Sequence, residues 1–246
     1  MVFFVISLLV CPEVVSDTLS IYHIIPPEAG QGWKLEVFDL SEQIPDHYHR
    51  LQKQFILVTE GKLQTFYGNK ETSLLQSGEL TLIDPGVVHC LTPEGKARFI
   101  AIAIPGFTYP EDVYFDQPGA IEKWTSPKAD FLPLLDPKYF GEKIDLGDYV
   151  VYEIISGTMA GEKWSAALIE IHDSPRHFHR IEKELFIVVA GSLDIEIDGQ
   201  NQILQVGEFV MITPEKIHQL KSASAIPVRV LCFSFPAFSA SDMYFV

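Results

Sequence analysis

The sequence predicts an all-β chain built from two similar halves, and two observations support this prediction. Short apolar runs rich in valine, isoleucine, leucine and phenylalanine alternate with glycine, proline and aspartate, a pattern typical of strands separated by turns. In addition, the stretch HYHRLQKQ at 47–54 recurs as HFHRIEKE at 177–184, and each copy is followed by six residues and a glycine. The two copies lie 130 residues apart.

A second block of sequence repeats downstream of the first. GELTLIDPGVVH at 78–89 matches GEFVMITPEKIH at 207–218, here with an offset of 129 residues. The offset falls by one residue, and we place this deletion in a hairpin loop, at 67–70 in one half and 197–200 in the other. Asp198-Gly199 suits a tight turn with positive φ. Both halves end with an apolar run, at 99–107 and 228–238, in which a proline stands two residues before the last phenylalanine. We conclude that the chain arose by internal duplication.

The length of 246 residues suits two domains of about 120 residues each. The composition, 47% apolar and 21% charged, is that of an ordinary globular protein. We divide the chain into an N-terminal apolar segment, an N-terminal barrel, a proline-rich connector and a C-terminal barrel: 1–20, 21–110, 111–148 and 149–246.

The N-terminal segment opens with ten residues that are almost all apolar, Met1 to Val10. This run is too short to span a membrane and lacks the basic residues that precede a secretory core. We expect an edge strand or an extension upstream of the natural start, and a weak secretion signal remains an alternative. An edge strand at residues 2–10 would also cover a sheet edge in a homodimer.

Charge and cysteine content restrict the partners and the compartment. The 18 basic and 33 acidic side chains leave a net charge of −15, which would repel a phosphate backbone, so we expect no nucleic-acid partner. The three cysteines, Cys11, Cys90 and Cys232, form no CxxC pair. An odd number of widely spaced cysteines argues against a disulfide framework and favours the reducing cytoplasm.

The connector between the repeats differs in character from the halves. Five prolines, at 110, 118, 127, 133 and 137, interrupt any long regular element. The sequence Pro110-Glu111-Asp112 favours the start of a short helix, since acidic residues stabilise a first turn. Leucine and aromatic residues between the prolines indicate a packed connector.

The C-terminal half carries a pattern of metal ligands. In a strand, residues two apart point to the same side, so His177 and His179 direct two imidazoles at one point. Glu184 follows after a turn, and His218 follows the strand-like run at 208–212. Three imidazoles and one carboxylate make a nitrogen and oxygen site for one divalent transition metal, and Fe, Mn, Ni, Co and Zn all suit it.

The N-terminal half carries a weaker version of the same pattern. Gln54 stands where the other half has a glutamate, and an amide brings no negative charge, so a dication is bound less strongly. This half holds a second metal, serves as a structural barrel, or binds an organic ligand without metal. Its candidate ligands are His47, His49, Gln54 and His89. The remaining histidines, His23 and His172, lie outside both patterns and are expected not to be ligands.

These motifs resemble those of the cupin family, G-x5-H-x-H-x3,4-E-x6-G and G-x5-P-x-G-x2-H-x3-N. The C-terminal half matches the ligand part of the first motif, although its leading glycine is not identifiable, and matches Gly207 and His218 of the second. Thr213 and Glu215 replace the proline and glycine, and Ser222 replaces the asparagine. The resemblance covers about residues 33–107 and 163–238. It implies a bicupin, with two small antiparallel jelly-roll barrels in one chain.

The family resemblance also bears on function. In cupins this ligand set commonly serves dioxygenases, which implies a metal-dependent enzyme acting on a small oxygen-bearing organic molecule, with Glu184 as both ligand and catalytic proton acceptor. A sugar or keto-acid isomerase that stabilises an enediolate is one alternative. A non-catalytic protein that binds a small molecule is another.

Overall fold

The computed structural model of the chain describes residues 13–25, 32–67, 70–106, 114–115, 130–132 and 143–246. The regular elements in these ranges are β-strands, apart from a 3-10 turn near the C-terminus. The described residues form two compact units, one up to residue 135 and one from residue 136 onward. The predicted strand at 2–10 and the predicted helix start at Pro110-Glu111-Asp112 lie outside the described residues.

The N-terminal unit is one antiparallel sheet whose central order is β1-β2-β3-β8-β5-β7-β10. Strands β5 and β8 are long, with 15 and 16 residues, and they pair along almost their whole length. Their bounds and those of the other strands are β1 Glu13–Ser16, β2 Leu19–Ile25, β3 Lys34–Leu40, β4 Ile44–Tyr48, β5 Lys53–Tyr67, β6 Lys70–Gln76, β7 Leu80–Ile83, β8 His89–Ile104, β9 Tyr114–Phe115 and β10 Asp130–Leu132.

The proline-rich connector contributes strands to this sheet. Strand β9 pairs with β4, opposite His47 and Tyr48, and β10 pairs with β7. Each of these strands has only two or three residues, so no sequence periodicity could reveal them. The connector region is therefore packed at these two points against the N-terminal sheet.

The C-terminal unit consists of two antiparallel sheets, ordered β11-β12-β13-β20-β15-β18 and β17-β16-β19-β14-β21. Its elements are β11 Lys143–Asp145, β12 Tyr149–Ile155, β13 Ser165–Ile171, β14 His177–His179, β15 Lys183–Ala190, β16 Leu193–Ile197, β17 Gln200–Leu204, β18 Phe209–Ile212, β19 His218–Ser222, β20 Val228–Phe235, the 3-10 turn Ala240–Asp242 and β21 Met243–Phe245.

The two units repeat the same topology. The order β2-β3-β8-β5-β7 in one corresponds to β12-β13-β20-β15-β18 in the other. The predicted hairpin turn at Asp198-Gly199 is present, with φ of 49° and 80°. The predicted fold class, all-β with two tandem antiparallel jelly-roll barrels from an internal duplication, is confirmed.

Each barrel encloses its own apolar core. Strand alternation directs every second side chain inward, so that Phe186 and Val188 of β15 meet Val230 and Cys232 of β20 in the C-terminal core. In the N-terminal core, Ile56 and Val58 of β5 lie with Phe99 of β8 in the same way. Full burial of each large apolar side chain contributes about 1.5–3 kcal/mol, so these cores hold the strands that present the histidines.

A tight turn before the last histidine of each half differs between the units. Gly86 has φ of 81°, and its N–H donates to the His49 carbonyl at 2.6 Å. Glu215 occupies the equivalent place with φ of 66°, and its N–H donates to the His179 carbonyl at 2.6 Å. The turn therefore holds a left-handed glutamate where the cupin motif has glycine, and a side chain there carries a steric cost.

We expect Glu215→Gly to stabilise the protein by about 0.5 kcal/mol. Relief of the left-handed strain, about 1–2 kcal/mol, exceeds the added entropy of glycine in the unfolded chain, about 0.5–1 kcal/mol. Urea unfolding of the metal-free protein measures the difference. Gly86→Ala is the matched control and should destabilise, and an equal or lower stability of Glu215→Gly would contradict the prediction.

Candidate metal centre

Three strands bring together the four predicted ligands of the C-terminal half. His177 and His179 lie on β14, Glu184 begins β15, and His218 begins β19. His177 pairs directly with His218 across the sheet, so both imidazoles point to one face. One ligand atom from each of the four residues lies within 4.8 Å of the others, and all four side chains are buried.

Backbone carbonyls fix the orientation of two of these imidazoles. Nδ1 of His177 donates to the Pro175 carbonyl at 2.8 Å, and Nδ1 of His218 donates to the Lys216 carbonyl at 2.9 Å. With the proton held on Nδ1, the lone pair of Nε2 faces the cluster. Local chain geometry therefore selects the tautomer that a metal requires.

The centre leaves buried polar atoms without partners. Nε2 of His179 and of His218 and Oε2 of Glu184 accept no hydrogen bond. Oε2 of Glu184 lies 3.1 Å from Nε2 of His218 and 3.5 Å from Nε2 of His179, but neutral Nε2 and a carboxylate oxygen are both acceptors. Each unsatisfied buried group costs about 1–3 kcal/mol. A divalent cation at the point where they converge would satisfy all of them, so the residues present fit a metal.

The N-terminal half forms a similar cluster from histidines alone. Ligand atoms of His47, His49 and His89 lie within 4.8 Å of one another, and His47 pairs with His89 as His177 does with His218. Nδ1 of His89 donates to the Val87 carbonyl at 2.9 Å. Gln54 takes the place of Glu184, with its Nε2 3.0 Å from Nε2 of His49. These residues correspond to those of the other half in sequence and in strand pairing, but the carboxylate is missing.

Comparison with known proteins agrees with this duplicated architecture. The cupin domain family matches residues 34–105 and 169–234, which together make up more than half of the chain. The chain belongs to the cupin family. With one domain in each half, it is a bicupin.

Solved structures with the same fold include oxalate decarboxylase from Bacillus subtilis. A point mutant of that enzyme has a TM-score of 0.56 and 13% identity, over 91% of this chain and 74% of the other. The enzyme at pH 4.6 gives a TM-score of 0.54 and 13% identity, over 92% and 74%. At this identity the likeness shows the fold alone.

A curated relative is an uncharacterized protein from Methanocaldococcus jannaschii. It is 24% identical over 66 residues, which are 27% of this bicupin. The match spans about half of that relative, 53% of its length. In the part of the bicupin that the structure describes, we find no helix long and apolar enough to cross a membrane.

Burial and neighbouring charges set the protonation of the C-terminal centre. Burial, reinforced by the charge of His218, lowers the pKa of His177 to about 4. Burial would raise the pKa of Glu184, but the nearby imidazoles of His218, His179 and His177 hold this pKa below its usual value. At neutral pH His177 is therefore a neutral imidazole and Glu184 a carboxylate, the forms that bind metal.

We expect the metal-free bicupin to lose stability relative to its His177→Gln variant as the pH falls from about 6.5 to 4. His177 has a folded pKa of about 4 against an ordinary value of 6.5, so the unfolded chain binds its proton more tightly in this window. Its contribution is present above pH 6.5 and is lost below pH 4, a change of about 3 kcal/mol. Urea unfolding across this range measures it. His177→Gln lacks this contribution, while Glu182, whose pKa is raised, affects both proteins alike. A difference between wild type and variant that does not change with pH would contradict the assignment.

Two buried carboxylates beside the centre were not predicted. Oε2 of Glu182 lies 3.3 Å from Nδ1 of His179, and its Oε1 accepts the N–H of Ser239 at 2.5 Å. Burial raises the pKa of Glu182 to about 8, and the charge of Glu184 adds to this rise. His179 is the imidazole of this centre that has no backbone carbonyl partner. Glu182 lies between it and the C-terminal segment of the chain.

Asp242 fixes the turn that separates His179 from Glu184. Its carboxylate accepts the backbone N–H groups of Arg180, Ile181 and Glu182 at 3.1, 3.0 and 3.0 Å. Burial would raise the pKa of Asp242, but these hydrogen bonds hold it below its ordinary value. The C-terminal segment therefore anchors the loop that carries the metal-ligand motif.

One sequence signal could have revealed this anchor. The pattern Asp-x-Tyr-Phe occurs at 112–115 and again at 242–245, at the same offset of 130 residues as the histidine motif. Glu182 corresponds to Gln52, whose buried amide nitrogen and oxygen have no hydrogen-bond partner. The N-terminal half therefore has the amides Gln52 and Gln54 in place of Glu182 and Glu184.

The residues expected to lie outside the site do so. Among the described residues, His23 and His172 belong to none of the candidate metal clusters, and His23 instead contacts Glu36 at 2.7 Å. Phe178 alternates with the ligand histidines and stacks on Tyr244 with ring centroids 5.2 Å apart.

Proposed function

We propose that the C-terminal barrel holds one divalent transition metal through Nε2 of His177, His179 and His218 and a carboxylate oxygen of Glu184. The observation that carries this proposal is the convergence of buried Nε2 and Oε2 atoms that lack partners. Fe(II), Mn(II), Ni(II), Co(II) and Zn(II) all suit the donor set. When bound, the ion would supply a Lewis acid or redox centre with open positions for a substrate oxygen.

The surrounding residues have separate roles in this proposal. Glu184 accepts a proton from the substrate as well as binding the metal, as a carboxylate beside a reacting group can. Glu182, whose Oε2 lies 3.3 Å from Nδ1 of His179, limits the orientations open to this imidazole. Phe186, whose ring centroid is 6.5 Å from that of His218, belongs to the apolar core that keeps water from the inner side of the centre. The ligands are thus fixed before any substrate arrives.

We infer that the chain is a metal-dependent enzyme of dioxygenase type that acts on a small oxygen-bearing organic molecule. Three imidazoles and a carboxylate accommodate the redox-active ions Fe(II) and Mn(II), which supports this reaction type. Chemistry that needs no oxygen, such as decarboxylation or enediolate isomerisation, is the second candidate. It is supported by the fold neighbours, which are oxalate decarboxylases, with Mn(II) centres described for one of them.

Oxygen consumption separates these candidates. Protein loaded with Fe(II), Mn(II) or Zn(II) is incubated with 2-oxo acids, vicinal diols and 1,2-diketones, with and without air. Oxygen uptake with Fe(II) or Mn(II) that disappears with Zn(II) and under argon supports the dioxygenase. Product formation under argon, including with Zn(II), contradicts it and supports the second candidate. Ligand binding without any product supports a binding protein.

The N-terminal site provides a gain-of-function prediction. Gln54→Glu should raise Mn(II) affinity at this site by at least about tenfold, because it adds a negative charge beside three buried imidazoles. Calorimetric titration in a His218→Ala background, which weakens the C-terminal site, measures the change. Gln54→Leu is the size-matched control without an oxygen donor. If Gln54→Glu and Gln54→Leu bind Mn(II) equally, the charge argument is wrong.

A further inference from the structure

The last strand of the chain places apolar side chains beside the C-terminal metal centre. In the antiparallel pair β14–β21, Phe245 lies opposite His177 and Met243 lies opposite His179. Residues directly opposite in such a pair project from the same face. Phe245 and Met243 therefore share the face of the ligand histidines, and the ring centroids of Phe245 and His177 are 6.4 Å apart.

Phe238 adds a second aromatic ring on this side. Its centroid lies 6.3 Å from that of His179, with the two rings edge to face. The side chains of both phenylalanines remain exposed, Phe238 to 50% and Phe245 to 65%. Exposed aromatic rings next to buried polar ligands form a rim, which we call the aromatic rim and define as Phe238 and Phe245.

The aromatic rim is held firmly in place. Asp242 accepts three backbone N–H groups from the turn after His179, and the Ser239 N–H donates to Glu182. On the opposite face, Tyr244 stacks on Phe178, and the Arg180 guanidinium lies 4.3 Å from the centroid of the Tyr244 ring. Both rings are thus positioned before a ligand binds, which lowers the entropy cost of binding.

Among the described strands of this unit, the face of the histidines offers no cation to a small anion. Arg176 and Arg180 flank β14; Arg176 pairs with Glu196 at 2.6 Å, and Arg180 lies over the Tyr244 ring. The strand register places no lysine or arginine on the metal-facing side of the described C-terminal barrel. The N-terminal barrel differs, because Lys34 and Glu36 are buried and pair at 2.7 Å on the inner face of β3.

We propose that the aromatic rim binds the apolar body of the substrate while the substrate's oxygen atoms face the histidines and Glu184. The substrate class is then a small molecule with two neighbouring oxygen atoms on an aromatic or branched aliphatic group, and not a bare dicarboxylate. The bound metal and Glu184 would face one carboxylate of a dianion, and the described strands offer no cationic side chain for the second. This inference rests on the proposed metal site.

Two acids that differ only in their apolar group test the inference. Pyruvate and benzoylformate carry the same 2-oxo acid group, with a methyl and a phenyl substituent respectively. Each is titrated calorimetrically into the full chain loaded with Mn(II). We expect benzoylformate to bind at least about tenfold more tightly, given the apolar area of a phenyl group. The double variant Phe238→Ala/Phe245→Ala should reduce this ratio below about threefold, mainly by weakening the binding of benzoylformate.

The controls separate a local effect from a general one. Ile203→Ala/Ile226→Ala removes two similarly exposed apolar side chains elsewhere in the same unit, 56% and 73% exposed, and should keep the wild-type ratio. If the double phenylalanine variant unfolds, the single change Phe245→Ala at the exposed strand should still lower the ratio. Light scattering on each variant shows whether the rim is instead a subunit contact.

The outcomes are distinct. Failure of the wild-type chain to bind Mn(II) would overturn the proposed metal site itself. With Mn(II) bound, the inference on substrate class is wrong if both acids bind equally or neither binds. It is also wrong if the ratio of the two Kd values stays the same after both rings are removed. This holds equally if the double variant changes the oligomeric state but not the ratio.

Discussion

Glu184→Gln is expected to lower turnover by at least about 100-fold and to weaken metal binding. The change removes one negative charge from the four-ligand set and leaves an oxygen donor of nearly the same size. An amide cannot accept a proton as the carboxylate does, and loss of a general base costs about 10²–10⁴ in rate. The variant reproduces the ligand set of the N-terminal half, where Gln54 stands beside three histidines.

Metal content tests this expectation before any substrate is known. Mn(II) and Zn(II) titrations compare wild type with Glu184→Gln, and Glu94→Gln serves as a control at an exposed glutamate of the other unit. Equal affinities of wild type and Glu184→Gln would mean that the carboxylate does not bind the metal. The difference between the halves would then have to come from the shape of the two pockets.

Replacing Glu182 with leucine should weaken Mn(II) binding by about 10–100-fold, although Glu182 is not a ligand. Partners that orient a metal-binding imidazole typically contribute this much. Glu182 is the acceptor that faces Nδ1 of His179, at 3.3 Å. Glu182→Gln keeps an oxygen at this place, so it should recover most of the affinity.

The pair of variants separates orientation from folding. Glu182→Leu removes both oxygens, the one that faces His179 and the one that accepts the Ser239 N–H, whereas Glu182→Gln keeps one oxygen that can face His179. Urea unfolding of the metal-free proteins measures the structural part, and Mn(II) titration measures the rest. If the two variants lose equal affinity, Glu182 does not act through the orientation of His179.

The ligand pattern was predictable because strands repeat every two residues and the chain repeats itself. The spacing of His177 and His179 fixes one face of a strand, and the second copy at His47 and His49 removes chance as an explanation. The turn before His218 was less predictable. There Glu215 adopts φ of 66° without the glycine that would have indicated it.

Long-range contacts account for what sequence reasoning missed. Asp242 binds backbone groups about 60 residues away, and Glu182 meets Ser239 across a similar separation. No local periodicity encodes such contacts, and the only trace in the sequence is the repeated Asp-x-Tyr-Phe. Strands β9 and β10 were missed because two or three residues between prolines show no alternation.

The two halves differ consistently in charge. The C-terminal centre has the carboxylates Glu182 and Glu184, whereas the N-terminal half has the amides Gln52 and Gln54 at the corresponding positions. Both amide atoms of Gln52 are buried without a partner. We therefore propose that the C-terminal barrel is the principal metal site and the N-terminal barrel is at most a weaker one.

Anomalous diffraction from crystals of untagged protein grown with Mn(II) tests the central claim most directly. We expect a strong peak enclosed by His177, His179, Glu184 and His218, with a weaker peak or none among the N-terminal histidines. A peak at the N-terminal cluster alone, or no peak within the C-terminal four at saturating Mn(II), would contradict it.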